Sequence, residues 1–191
     1  MKTAIQAVIT VLIVQVLAAI GFVYSGIFNV AATDPHWSLT QAIMETARVR
    51  SIKTRAAGIL PPGNLGDHKR VVGGTSHFAE HCSSCHSAPG VESGEVAKGM
   101  YPSPPTLTNA VKQWAPGELF WIIRNGIKMS GMSAWPSHSD EDIWDIIAFL
   151  NKLTSMSEQD YGELIKESME AGGHKVHGDD CAPEHRAAGH C

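Results

Sequence analysis

The sequence lacks a strong charge imbalance and has few cysteines. Its 191 residues carry a formal net charge of −4, and the isoelectric point is near 6.2. Because there is no basic excess, the composition gives no indication of nucleic-acid binding. Only four cysteines are present. Once an apolar N-terminal segment and a polar tail are set aside, the length leaves about one small domain.

The first part of the chain also lacks charge. No charged residue lies between Lys2 and Asp34, and the stretch from Ala4 to Tyr24 is mostly alanine, valine, isoleucine and leucine. As a helix this stretch would span about 32 Å, which is enough to cross the hydrocarbon core of a membrane. A cleaved signal peptide is the alternative, but its apolar region is typically about 7–15 residues long. We therefore predict a single transmembrane anchor, with Lys2 in the cytoplasm.

Two of the cysteines belong to a Cys-x-x-Cys-His motif formed by Cys82, Cys85 and His86. This spacing is typical of covalent haem attachment, in which each thiol adds to a vinyl group and the histidine ligates the iron. A redox or zinc site is the alternative, but it would leave His86 without a role and would need further ligands nearby. We predict one covalent haem c, attached on the oxidising side of a bacterial membrane.

A helix is predicted to lead into this motif. Val71, Thr75, Phe78 and Cys82 lie three or four residues apart and therefore share one face. Gly74 on this helix would allow another helix to approach closely. Phe78 would cover an edge of the haem or fill the core, and the two roles are compatible.

Two further helices carry clear start and stop signals. The second runs from Pro116 to Asn125, with proline in the first turn and Gly126 at the stop. The third begins after Ser139, which forms a capping-box pattern with Asp142. Its predicted buried stripe consists of Ile143, Ile146, Ile147, Leu150 and Leu153.

Two other segments flank or support this region. Residues Ser38 to Ala57 are predicted to be a juxtamembrane helix with a basic second half, lying on headgroups, docked on a membrane partner or exposed as a spacer. The segment from Tyr101 to Pro105 contains three prolines and cannot form a regular helix. We expect it to line the haem pocket and to offer a backbone carbonyl to the ring N–H of His86.

The second axial ligand is expected in the loop between the second and third helices. Met129 and Met132 both lie there, and Gly131 would give Met132 the freedom to turn toward the iron. Methionine ligation opposite histidine raises the reduction potential, which suits an electron carrier. We predict Met132 as the ligand.

Together these features resemble a class I c-type cytochrome. The loop from Gly126 to Met132 is similar to that of membrane-anchored monohaem members near the cbb3-oxidase subunit III type. In that group the second methionine of the segment is the axial ligand, and this implies the same role for Met132. Many members have proline after this methionine, where the present chain has Ser133. The resemblance covers about residues 67–153 and implies an all-α fold with three main helices around one haem.

The C-terminal tail is rich in metal-binding side chains. A metal site and a disulfide between Cys181 and Cys191 are both compatible with its composition. The tail ligands proposed for a metal are His174, His177, Cys181 and His185.

These observations predict four segments and a function. They are an anchor over residues 1–33, a juxtamembrane helix and linker over 34–66, a cytochrome c domain over 67–155, and a C-terminal segment over 156–191. We predict an inner-membrane, single-pass electron carrier rather than an enzyme, with its haem domain in the periplasm. Its partners would be a quinol-oxidising complex, a dehydrogenase, or a terminal oxidase or reductase. The alternatives are a haem-bearing subunit of a larger membrane complex and an open-site haem enzyme or sensor.

Overall fold

The computed structural model describes residues 1–172, so the predictions for the tail lie outside the described residues. Within these residues the chain is helical, and its only strand-like feature is an isolated bridge between Ala88 and Val91. The predicted all-α class is therefore confirmed. The chain divides into two compact units, residues 1–36 and the residues from 37 onward.

The first unit consists mainly of one helix, α1 (Lys2–Tyr24). The most apolar 18-residue window of this 23-residue helix has a mean hydropathy of 2.5, and none of the side chains is buried. At the usual rise per residue the helix is about 34 Å long. This helix is therefore long and apolar enough to cross a membrane, a property that a leader sequence at this position would share.

The second unit is built on three principal helices that the sequence predicted. They are α3 (His68–His81), α7 (Pro116–Asn125) and α8 (Asp140–Leu153), and α7 has the predicted bounds. The remaining helices are α2 (Ser38–Ala56), α4 (Ser83–His86), α5 (Glu95–Lys98), α6 (Leu107–Gln113) and α9 (Glu158–Glu170).

Local capping explains where α7 ends and where α8 begins. Gly126 follows α7 with a φ of 64°, a left-handed conformation that stops the helix at little steric cost. Ser139 precedes α8, and its backbone N–H donates to Asp142 Oδ2 at 2.7 Å. In return the Asp142 N–H donates to Ser139 Oγ at 3.2 Å, which completes the predicted capping box.

The core forms where α3 packs against α8, the principal helix pair of the unit. At Gly74 the two backbones come so close that an added Cβ would lie 1.9 Å from the carbonyl oxygen of Asp145. One turn further along α3, the Phe78 ring lies 4.8 Å from the Phe149 ring, centroid to centroid, and both side chains are fully buried. The close approach expected from glycine at position 74 is thus confirmed.

Two helices extend this core in ways that the sequence patterns did not reveal. In α2 the apolar stripe is used only in its second half, since Ile52 is 1% exposed whereas Leu39 is 71% exposed. This half packs against α7, so the interpretation of α2 as a fully solvated spacer is wrong. Helix α9 was not predicted from the sequence, yet it packs on α3 and buries Tyr161 beside Phe149.

An ion-pair network crosses the contact between α3 and α8. Arg70 donates to Asp145 Oδ1 and to Glu141 Oε2, both at 2.6 Å. Burial raises the pKa of the Asp145 carboxyl, and the hydrogen bond from Arg70 offsets part of that rise. The pKa of Arg70 is raised, first by its bond to Glu141. The guanidinium therefore stabilises a carboxylate that the protein surroundings disfavour.

We expect Gly74→Ala to destabilise the second unit by about 3 kcal/mol, because the new methyl group meets backbone atoms that cannot rotate away. Chemical denaturation of the detergent-solubilised protein, followed by circular dichroism, measures this loss. Gly162→Ala is the matched control, since its Cβ meets nothing within 4 Å and α9 should gain about 0.5–1 kcal/mol. Equal effects of the two substitutions would contradict the close contact between α3 and α8.

We expect Arg70→Gln to destabilise the protein by about 2 kcal/mol at neutral pH, because Asp145 then keeps its charge without its cation. Without Arg70 the pKa of Asp145 in the folded state rises further above its unfolded value. A carboxyl whose pKa is higher in the folded state than in the unfolded state stabilises the protein at low pH, and this stability is lost as the pH rises through the folded-state pKa.

The difference in unfolding free energy between wild type and Arg70→Gln should therefore shrink as the pH falls through the raised pKa of Asp145 and this carboxyl becomes protonated. Denaturation curves at several pH values test this. Lys98→Gln, which removes an exposed pair with Glu92, should change stability by less than about 0.5 kcal/mol at any pH. A pH-independent loss in Arg70→Gln would argue against the role given to Asp145.

Candidate haem attachment site

The Cys-x-x-Cys-His motif forms one continuous turn at the end of α3. The His86 N–H donates to the Cys82 carbonyl at 2.9 Å, and the Cys85 N–H donates to the same carbonyl at 3.1 Å. Both thiols are free, so the two cysteines do not form a disulfide with each other. Two thiols and an imidazole therefore project from a stretch of five residues, Cys82 and the short helix α4 that follows it.

The imidazole of His86 is oriented by the proline-rich loop. Its Nδ1 lies 3.1 Å from the backbone carbonyl oxygen of Pro105, to which the ring N–H donates. This bond fixes the tautomer and leaves Nε2 as the nitrogen that binds a metal. The sequence predicted such a carbonyl in the segment from Tyr101 to Pro105, and the structure identifies it as that of Pro105.

The thiol of Cys82 differs from that of a redox-active cysteine. Burial, with a smaller contribution from Cys85, raises its pKa to about 12, so it remains protonated at neutral pH. A thiol that acts as a redox nucleophile needs a lowered pKa, because the thiolate is the reactive form. Among residues 1–172, no group of three metal-binding side chains includes Cys82 or Cys85. These observations favour covalent attachment over the alternative readings of the motif.

The two candidate axial methionines differ in their surroundings. Met129 is 81% exposed and has a φ of 59°. Met132 is half-buried, and its backbone carbonyl accepts a hydrogen bond from the Ile127 N–H at 3.0 Å, which closes the loop. The axial role of Met132 stays a prediction, and its burial makes it the better placed of the two.

The reason for glycine at position 131 differs from the expected one. Gly131 does not adopt a left-handed conformation, so the freedom it was expected to give Met132 is not what the backbone uses. Instead, an added Cβ would lie 2.6 Å from the Met100 sulfur. Glycine here therefore allows the side chain of Met100 to pack against the loop that carries Met129 and Met132, which we call the methionine loop.

Phe78 lies fully buried against Phe149 and serves as a core residue. Its additional predicted role at the edge of the haem stays a prediction. The proposed tail ligands His174, His177, Cys181 and His185 lie beyond the described part of the chain.

Comparison with known families agrees with this geometry. The family described as cytochrome c oxidase, cbb3-type, subunit III matches residues 70–150. Residues 70–150 are a c-type cytochrome domain. The matched segment runs from α3 into α8 and contains both the attachment turn and the methionine loop. No curated protein and no solved structure matches the chain.

The residues of the cytochrome domain fit a covalently bound haem. Cys82 and Cys85 supply two free thiols on one turn, and His86 presents a ring whose other nitrogen is already engaged by Pro105. When bound, haem c supplies an iron centre that takes up and releases one electron. The thioethers would keep the porphyrin on the chain through repeated oxidation and reduction.

We expect the double substitution Cys82→Ser with Cys85→Ser to abolish covalent haem, because no thiol then remains on the attachment turn. Haem staining of the denatured polypeptide after electrophoresis measures this. Each single substitution should retain haem through one thioether. The matched control, Cys181→Ser with Cys191→Ser, should stain like wild type. Haem staining that survives the first double substitution would refute the assignment of the attachment site.

Proposed function

We propose that this chain is a membrane-anchored monohaem cytochrome c that carries single electrons between redox partners and is not itself an enzyme. The observation that carries the proposal is the attachment turn, in which two thiols accompany a histidine whose Nδ1 donates to the Pro105 carbonyl. Such a fixed imidazole is a more basic ligand and limits rearrangement at the iron. Small rearrangement on oxidation and reduction is what rapid electron transfer requires.

The other axial position would be filled by Met132. Its half-buried side chain and closed loop support this choice, whereas Met129 extends into solvent. Sulfur ligation opposite histidine favours the ferrous state and so raises the reduction potential. A filled sixth position also keeps small ligands from the iron, which separates a carrier from a haem enzyme or sensor.

The proposal includes a location. Helix α1 has the length and composition of a single-pass anchor, and haem thioethers in bacteria are formed on the oxidising side of the membrane. The haem domain would therefore face the periplasm of the inner membrane. Anchoring would confine it near membrane partners and raise the effective concentration for each encounter. The partners would be a quinol-oxidising complex, a dehydrogenase, or a terminal oxidase or reductase.

A second candidate function is that of a haem-bearing subunit in a larger membrane oxidoreductase. Two observations favour it: the matching family is described as an oxidase subunit, and the first half of α2 leaves Leu39 and Ile43 exposed. The two candidate functions predict different results when the chain is extracted from the membrane in detergent. Stoichiometric large subunits retained in mild detergent would favour the subunit, and a chain purified alone would favour the carrier.

We expect the reduced wild-type protein to resist carbon monoxide, because a methionine sulfur would occupy the sixth position. Met132→Ala should bind carbon monoxide readily, lose the weak near-infrared absorption of the ferric methionine complex, and have a lower reduction potential. Optical spectra with and without carbon monoxide, together with a redox titration, measure these changes.

Met129→Ala is the matched control for this experiment and should behave as wild type, since its side chain is exposed. If wild type binds carbon monoxide as readily as Met132→Ala, the iron is open and the carrier proposal fails. If Met129→Ala alone loses the near-infrared band, the ligand assignment moves to Met129.

A further inference from the structure

Three histidines that play no part in the haem motif come together beside it. His77, His81 and His138 each offer one ring nitrogen, and these nitrogens lie within 4.8 Å of one another. His77 is 4% exposed and His138 is 8% exposed, whereas His81 is half-buried. The cluster is thus built largely inside the protein, with one edge reached by solvent.

Two separate segments of the chain supply the three histidines. His77 and His81 are four residues apart on α3 and therefore lie on one face of that helix. His138 lies in the segment that precedes α8, and Arg124 of α7 donates to its backbone carbonyl. The same guanidinium pairs with Asp140, so α7 ties this segment to the start of α8.

The rings around the cluster limit its movement. The Trp135 ring lies 5.0 Å from the His81 ring and 5.2 Å from the His138 ring, centroid to centroid. The His77 and His81 rings each lie 5.1 Å from that of His138. The indole therefore packs against two of the three imidazoles.

Two carboxylates favour a positive ion at this place. Asp142 Oδ1 lies 3.5 Å from His77 Nε2, while the other oxygen of Asp142 is held by the N–H of Ser139 in the capping box. Glu80 Oε2 lies 3.8 Å from His81 Nε2. A carboxylate beside an imidazole is the usual arrangement around metal-binding histidines, because it orients the ring and strengthens the ligand.

We propose that His77, His81 and His138 bind a divalent transition metal ion of the class that prefers imidazole, with Zn²⁺ as its representative. Three histidines are a complete protein ligand set for zinc when water or a carboxylate takes the fourth position. In a tetrahedral site with bonds of about 2.0–2.1 Å, the ligand nitrogens are about 3.3 Å apart. Small side-chain rotations from the present separations would reach that geometry. The fourth ligand would be water at the edge open to solvent.

The test uses the full-length haem-loaded protein in detergent, stripped with a chelator and titrated with zinc sulfate by calorimetry. The tail could bind metal independently, so all measurements use a background in which its ligands are replaced by serine. The replaced residues are His174, His177, Cys181, His185, His190 and Cys191. We expect one zinc ion per chain in this background, with three nitrogen ligands at about 2.0–2.1 Å in zinc-edge X-ray absorption.

Substitutions separate a metal site from a cluster of packed rings. His81→Gln and His138→Gln should each weaken zinc binding at least tenfold while leaving the haem spectrum and haem staining unchanged. His68→Gln is the matched control, because His68 lies on the same helix but its Nε2 faces Glu167 at 2.7 Å. Absence of zinc binding in the tail-substituted protein would overturn the proposal. Zinc binding that both cluster variants retain would also overturn it.

Discussion

The approach of α3 to α8 at Gly74 is the constraint on which the rest of the second unit depends. At this point the helix backbones are in contact through the carbonyl of Asp145, with no side chain between them. The α3 helix then continues into the attachment turn, and the start of α8 carries the capping box. A change in the separation of the two helices at Gly74 would therefore move the end of α3 and the start of α8, and with them Cys82 and Asp142 relative to the core.

A single helix, α3, supplies three different sets of side chains. Phe78 on one face fills the core against Phe149, His77 and His81 on another face form the histidine cluster, and the C-terminal end leads into Cys82. Each use requires the helix to keep its rotation about its own axis. The Arg70 network fixes that rotation from one end of the crossing, since its guanidinium reaches two carboxylates on α8. A change in the core packing of α3 would therefore also displace the histidine cluster and the haem attachment turn.

Local signals in the sequence were sufficient for α7 and α8, because Pro116, Gly126 and the pair of Ser139 and Asp142 act within a few residues of each helix end. The haem motif is likewise contiguous. Helix α9 carries a comparable local signal, the capping box of Ser157 and Asp160, but was not predicted, and its sequence does not show that it packs on α3. The carbonyl of Pro105 carries no side-chain signal, so only the fold could identify it. The histidine cluster was not predicted: the four-residue spacing of His77 and His81 places them on one helix face, but His138 joins them only through tertiary structure.

The packing of α2 and α9 has a consequence for how this domain could be exchanged between proteins. The segment shared with the cytochrome family ends at residue 150, yet Phe149 in that segment is covered by Tyr161 of α9. On the N-terminal side, Gly117 of α7 packs against the backbone of Ile59, which lies before the shared segment: an added Cβ would lie 2.2 Å from the Ile59 carbonyl oxygen. A graft cut at the family boundaries would carry the haem motif but expose apolar surface at two places. The segment that matches the family is thus smaller than the compact unit of the structure, and a functional transplant would have to include both flanking helices.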